Sequence, residues 1–481
     1  MTNSGEVHQT KLPASTLELF VDPDARRSTT RSIYRQLREA IASGRVSVGD
    51  RLPPTRELAT QLGVSRHTIT TVYDQLVAEG YLGGRRGGGT FVNPASPRRS
   101  TARPLSGVSP PATRRGSDHF DVLPRFDLRP GAPDPKLFPT VVWRRCMATA
   151  LDRAPRAYGD PGGLLELRET IAHWINRSRG LEPTADQIVV TSGAQQAIDL
   201  TIRLLVKPGD IVAVEEPGYA PVRQLCAAFG ADVRAVPVDA EGLMVERIPT
   251  GARLVYTTPA HQFPSGVVMS LPRRLALLEF AERHDAFVIE DDYDSEYRHV
   301  ARPLEPLQRL DRNERVIYVD TFSKTLSPAL RLGFAVVPHA FLDQFLALRQ
   351  LCDWQPAEPQ QTAMNRFIAD GHLARHLRRT RKVYSERHRV VTEFLSGAVQ
   401  SGSLRGFTPT CAGLHITAML PDGADEEGVR SRAEDAGVAF GAFASCWRAD
   451  NPPPGLVIGF GSIPDDDLPS ALDALSLVLT R

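Results

Sequence analysis

No run among the 481 residues is long and apolar enough to cross a membrane, and the opening MTNSGEVHQT lacks the apolar centre of a signal peptide. The chain is therefore expected in the cytoplasm, without membrane contact. Cysteine is scarce: Cys146, Cys226, Cys352, Cys411 and Cys446 are odd in number, widely spaced and form no Cys-x-x-Cys. That pattern argues against a disulfide framework and against a zinc site, and leaves the cysteines as packing residues. Lysine is absent from residues 25–103, which hold 14 arginines and five acidic residues. This segment carries +9 where the whole chain carries +1, so the remainder carries −8. A basic module on an acidic body suits a nucleic-acid partner, with a merely solubilising surface as the alternative. A hydrophobic share of 42% over this length gives two or three globular domains.

In the basic segment, Ile33, Leu37 and Ile41 recur every four residues beside Ala40, and Gly44 stops the helix they predict. After the turn 48–54, Thr55 is placed to cap a second helix with Leu58, Ala59 and Leu62 on its apolar face and Gly63 at its end. Ser65 caps a third, through Ile69, Val72, Tyr73 and Leu76 to Gly80. Two helices joined by Gly63-Val64 make a helix-turn-helix whose last member presents Ser65, Arg66, His67, Thr68 and Thr71. Tyr81-Leu82, a glycine and arginine turn over 83–89, and Thr90-Phe91-Val92 read as a hairpin wing.

The stretches 52–59 (LPPTRELA), 64–69 (VSRHTI), 80–82 (GYL) and 89–92 (GTFV) resemble the winged helix-turn-helix of GntR-type transcription regulators. The resemblance implies binding to double-stranded operator DNA through Arg56 and Arg66, with Thr68 and the wing glycines Gly87 and Gly89 near the backbone, and the exposed helix face adds Ser65 and His67 as candidate contacts. The module is expected over residues 26–92. Residues 93–123 are rich in proline, arginine and small polar residues and are expected to be an extended tether with a span of about 30 Å.

From residue 124 to 481, apolar strand-like runs at 187–190, 211–214, 253–256, 287–289 and 316–319 alternate with helical stretches at 164–178, 195–205 and 272–284. Such alternation predicts an α/β layer with a mainly parallel sheet and ligands at the carboxyl ends of its strands. Three stretches at those ends carry chemistry. Residues 319–334 (VDTFSKTLSPALRLGF) bring two hydroxyls and Lys324 to a strand end, with Arg331 two helical turns later, as for a Schiff base beside a phosphate cup. Residues 191–196 (TSGAQQ) lead a strand into a helix whose free N–H groups bind phosphate. The acidic run 290–294 (EDDYD) offers a carboxylate for a pyridine nitrogen, or equally ligands for a divalent metal. No metal is expected among the site residues.

Together with 158–163 (YGDPGG) and 261–266 (HQFPSG), these stretches resemble fold-type I pyridoxal phosphate enzymes, specifically the aminotransferase-like body, with a smaller C-terminal subdomain, of the MocR/GabR branch of GntR regulators. The resemblance implies pyridoxal 5'-phosphate as cofactor, with Lys324 as Schiff-base lysine, Asp291 on the pyridine nitrogen and Tyr293 on the phenolic oxygen. It places Tyr219 on the ring face and Gly193, Ala194, Gln195, Thr321, Ser323 and Arg331 around the phosphate, and it implies a homodimer. Two departures stand out. Phe263 occupies the place of the asparagine that contacts the phenolic oxygen, so His261 or Gln262 substitutes or nothing does. The arginine that clamps an α-carboxylate is expected near Val457, where the sequence reads LVIGF, and Arg448 is the nearest basic residue. The reading is a transcription regulator that senses a small amine, an amino acid or pyridoxal phosphate itself; its rival is an active aminotransferase with a fused DNA-binding module.

Overall fold

Apolar residues at every third or fourth position build three helices, α1 (Thr29–Ala42), α2 (Thr55–Leu62) and α3 (Arg66–Ala78), which bury Ile33, Leu37, Ile41, Leu58, Ile69, Val72 and Leu76 in one small core. Strands β1 (Leu82–Arg85) and β2 (Gly89–Val92) pair antiparallel as the wing. Gly63 closes α2 in the left-handed conformation. Thr55 does not cap α2, correcting the expectation: Pro54 holds the cap position and no side chain caps there. Its carbonyl accepts the Leu58 N–H instead. Ser65 does cap α3, its hydroxyl accepting the Thr68 N–H at 3.1 Å. Ser65→Ala is expected to cost the module about 1 kcal/mol, lowering its calorimetric transition in the full chain by about 4–8 °C.

The computed structural model describes residues 29–85, 89–94, 124–152, 157–299, 305–449 and 451–480. Gly87 and residues 95–123 of the expected tether lie outside them. The chain divides into two units, residues 1–112 and 113–481. No helix among the described residues is long and apolar enough to cross a membrane.

The second unit runs β3 (Phe126–Leu128), α4 (Thr140–Leu151), α5 (Leu165–Arg179), β4 (Ile188–Thr191), α6 (Ala194–Leu205), β5 (Ile211–Glu216), α7 (Ala220–Ala228), β6 (Asp232–Asp239), β7 (Gly242–Leu243), β8 (Ala252–Thr257), α8 (Leu271–Arg283), β9 (Phe287–Asp291), α9 (Leu307–Leu310), β10 (Val316–Thr321) and β11 (Gly333–Val336). It continues through α10 (Leu342–Asp353), α11 (Glu358–Ala369), α12 (His372–Gln400), β12 (Gly406–Phe407), β13 (His415–Met419), α13 (Glu426–Asp435), β14 (Val438–Ala442), β15 (Gly455–Gly459) and α14 (Leu468–Leu479).

Eight strands form one sheet in the order β4-β11-β10-β9-β8-β5-β6-β7, parallel from β10 through β6. Its central strands are buried on both faces, as a sheet covered by helices requires. Strand β11 runs antiparallel to both β10 and β4. The segment before it is a turn and a short 3-10 helix (Pro328–Leu330), not two turns of α-helix, and Arg331 ends it in the left-handed region at φ 50°. A second sheet, β12-β13-β15-β14-β3, forms the C-terminal subdomain.

Candidate functional site

On the DNA-binding module, Arg56 and Arg66 are exposed in the first turns of α2 and α3, with His67 exposed beside Arg66. Thr68 is only partly exposed, and its hydroxyl lies 2.8 Å from that of Ser65. Ser65 and Thr68 are thus engaged in the cap, whereas Arg66 and His67 project at the end of α3 where free N–H groups also point. The Thr71 hydroxyl donates to the His67 carbonyl within the helix. Gly89, at φ +101°, lets Arg51 pass: a Cβ there would stand 2.6 Å from the Arg51 Nε.

In the larger unit, the parallel register sets the ends of β8, β9 and β10 side by side, β11 brings the end of β4 to the same edge, and the expected site residues gather there. Lys324 follows β10 and donates from Nζ to the Gly131 carbonyl at 2.7 Å. Burial lowers its pKa, against the opposing charges of Asp294 and Asp291, and so raises the neutral, nucleophilic fraction of the amine. Asp291 ends β9 and accepts from the Tyr256 hydroxyl at 2.7 Å through Oδ2, while its buried Oδ1 has no partner among the described residues. Burial pushes this carboxyl up to about 7. A cationic donor opposite Oδ1 would hold it ionised.

Thr321 and Ser323 link hydroxyls at 2.9 Å, and the Ser323 N–H donates to Thr321 Oγ1. Arg331 reaches back to the Ser192 carbonyl at 2.5 Å, across the turn that starts α6. There Gly193 is at φ +87°, and a Cβ on it would come within 2.9 Å of the Arg331 guanidinium. Ala194 and Gln195 begin α6, so their N–H groups point into the same cup.

Tyr219, at the start of α7, meets Phe263 edge to face with ring centroids 6.0 Å apart, and burial pushes its hydroxyl up to about 12. Tyr293 also meets Phe263, at 6.4 Å. Of the two candidates for the missing asparagine, Gln262 is engaged elsewhere and His261 is engaged through Nδ1, with Nε2 unpartnered among the described residues. Gln262 donates to Glu215 at 3.1 Å and to the Pro217 and Phe263 carbonyls, while its own oxygen accepts from Ser265. The His261 imidazole is turned to Asp294. The Tyr293 hydroxyl donates to the His261 carbonyl at 3.0 Å.

The carboxylates of the acidic run turn to different partners. Glu290 caps α9, accepting from Leu307 and Gln308, and Asp292 and Glu296 pair with buried Arg179 at 2.9 and 2.6 Å. Alternation along the strand end sends neighbouring carboxylates to opposite sides. Sequence reading does not foresee a different grouping, in which ligand-type atoms of buried His261, Asp294 and His415 lie within 4.8 Å of one another. In it, the His261 Nδ1 faces Asp294 and the His415 Nε2 donates to the Pro264 carbonyl at 3.1 Å.

Val457 lies buried on β15, opposite Thr417 of β13. Arg448 sits in the loop after β14, where its guanidinium donates to the Val233 carbonyl and its N–H to Glu216. It is therefore held away as a carboxylate clamp. The same loop is tied to the segment bearing Tyr219: the Gly218 N–H donates to the Cys446 carbonyl at 2.9 Å, and the Arg448 and Ala449 N–H groups donate to Glu216 Oε1 at 2.7 and 3.1 Å.

Residues 29–92 match the model of the gntR family of bacterial regulatory proteins, and residues 133–413 that of class I and II aminotransferases. The probable rhizopine catabolism regulatory protein MocR of Rhizobium meliloti is 36% identical over 95% of each chain. The pyridoxine biosynthesis transcriptional regulator PdxR of Corynebacterium glutamicum is 34% identical over 96% of this chain and 99% of its own. The chain belongs to the MocR-type branch of the GntR family. Its aminotransferase-like body resembles the crystal structure of Pyrococcus horikoshii kynurenine aminotransferase at TM-score 0.67 and 30% identity, over 75% of this chain and 91% of that one. The MocR-type body thus has the fold of pyridoxal phosphate enzymes, and its residues fit that cofactor on two counts. The unpartnered Asp291 Oδ1 suits a protonated ring nitrogen, and the cup of Gly193, Thr321, Ser323 and Arg331, closed to any Cβ at Gly193, suits a phosphate.

Proposed function

We propose that this regulator binds operator DNA through Arg56, Arg66 and His67, and binds pyridoxal 5'-phosphate on Lys324 to sense a small amine or the cofactor itself. The observation that supports it most is the Lys324–Asp291 pair beside the phosphate cup, with a buried valine where an α-carboxylate clamp belongs. When bound, the cofactor supplies an aldehyde for amines and an electron-withdrawing ring. Asp291 holds the proton on the ring nitrogen, aligned by Tyr256. Thr321, Ser323, Arg331 and the N-terminus of α6 hold the phosphate. Tyr219 covers the ring and Tyr293 donates to the phenolic oxygen.

Without a cationic group at Val457, an amino acid bound here is not oriented by its carboxylate, which favours sensing over turnover. A homodimer in the cytoplasm completes the reading, since two DNA-binding modules would meet two half-sites. Exposed Val141, Leu151, Tyr158, Leu351 and Trp354 on the body support such a pairing.

The test is operator affinity by gel shift with and without candidate amines and pyridoxal phosphate, alongside an assay for keto-acid product. A ligand that favours one arrangement of the modules is expected to change affinity roughly 5- to 150-fold. Product formation at ordinary enzyme rates, of order 1 per second or faster, with operator affinity indifferent to every ligand, would establish the fused aminotransferase instead.

A further inference from the structure

Asp294 has no place among the proposed cofactor contacts, yet it is only 2% exposed and meets a histidine that is 1% exposed. Both of its oxygens lie close to His261 Nδ1, at 3.1 and 3.0 Å. A carboxylate only accepts, so Nδ1 carries the proton. The other ring nitrogen, Nε2, is buried and has no partner among the described residues, so Asp294 is the ring's one polar anchor besides the Tyr293 hydroxyl. That hydroxyl donates to the His261 carbonyl at 3.0 Å, and its oxygen lies 3.2 Å from Nδ1.

We infer that Asp294 is a positioning residue: acting through His261, it sets how strongly the Tyr293 hydroxyl is donated to the phenolic oxygen of pyridoxal phosphate. The inference rests on the proposed cofactor binding. With Nδ1–H directed to Asp294, the Tyr293 oxygen receives no proton from the imidazole. Its own hydrogen is then free to turn from the His261 carbonyl to a nearby oxyanion. With an amide in place of the carboxylate, the bond from Nδ1–H loses its charge assistance and the Tyr293 oxygen at 3.2 Å competes for that proton, which fixes the hydroxyl in a different rotation. Burial and the surrounding acids hold Tyr293 protonated, as a donor must be: its pKa is raised by burial first and then by the charges of Asp294, Asp291, Glu215 and Asp292. The other titratable groups facing the pair are Lys324, His415 at 4.7 Å between ring centroids from His261, and His299 and His388.

The sign follows from the phenolic oxygen. When Tyr293 satisfies that oxygen, it holds the neighbouring proton on the Lys324 nitrogen less tightly; weaker donation therefore raises the pH at which this proton leaves. The experiment uses the full chain loaded with pyridoxal phosphate and follows its visible absorbance against pH. Asp294→Asn is expected to raise the midpoint by about one pH unit, the scale of one charge-assisted hydrogen bond. Asp294→Glu is expected to recover part of the shift. Tyr293→Phe also raises the midpoint, and in that background Asp294→Asn is expected to add nothing, because the two changes remove one interaction.

An unchanged midpoint in Asp294→Asn overturns the inference, as does an equal shift in the Tyr293→Phe background. A lowered midpoint overturns it too, since Asp294 would then act as a bare negative charge on the Lys324 nitrogen. Should Asp294→Asn not fold, His261→Gln is expected to give the same rise and the same cancellation, with the same outcomes deciding. Parent protein with no visible band at any pH overturns the cofactor reading itself, a result distinct from an unshifted band.

Discussion

Lys324→Ala will leave protein that still takes up pyridoxal phosphate weakly but fixes none of it on treatment with borohydride. In the parent chain, reduction is expected to leave a pyridoxyl group on the peptide that contains Lys324, readable by mass spectrometry. The expectation comes from position and from charge. Lys324 leaves β10 beside the Thr321–Ser323 hydroxyl pair, and burial favours its neutral form. Alanine removes the attacking nitrogen but none of the phosphate-binding groups, so residual reversible binding is part of the result. A borohydride-stable adduct in Lys324→Ala would reassign the covalent link to another amine. The same variant also separates two kinds of signal: it loses a response to amines that need the covalent link, and it keeps a response to cofactor occupancy alone.

Arg66→Ala is expected to weaken operator binding by about 1–3 kcal/mol, roughly 5- to 150-fold, and to lower the slope of log affinity against log salt by about one if the lost contact is to phosphate. Cofactor absorbance should not change, since Arg66 and Lys324 belong to separate units. Gel shifts at several salt concentrations measure both quantities. Affinity equal to that of the parent at every salt concentration would remove Arg66 from the interface.

The alternation of apolar strands and helices in the larger unit is legible because each strand is short, buried and bounded by turn residues. Lys324 and Asp291 are legible for the same reason: each stands just at or past the end of such a strand, where an α/β sheet places its ligands. Strand β11 is not legible. It is four residues long, follows a left-handed arginine, and reads in sequence as the tail of the lysine segment. Its antiparallel course depends on pairing with β4, more than 140 residues earlier. The cap of α2 is misread because threonine is a good capping residue in general, whereas here the chain enters the helix through Pro54.

Asp294 shows a further limit. Its partner lies 33 residues away on another strand-end loop, and only the parallel neighbours β8 and β9 bring the two loops together. Tyr256, which aligns Asp291, is hidden in the same way, since an aromatic residue inside a buried strand gives no sign of the group its hydroxyl will meet.

The ties between the Tyr219 segment and the loop after β14 give the tyrosine proposed to cover the ring a mechanical role. Glu216 and Gly218 precede it, and three backbone N–H bonds join them to residues 446–449, with Arg223 adding a fourth anchor on the Cys446 carbonyl at 2.6 Å. Tyr219 cannot rise from a ring without pulling on the loop that follows β14, and that strand sits between β15 and β3 in the second sheet. A ligand that adds thickness beneath the phenol would work like a wedge under a crank. A displacement at the large sheet would be delivered, through bonds rather than through diffuse packing, to the small one.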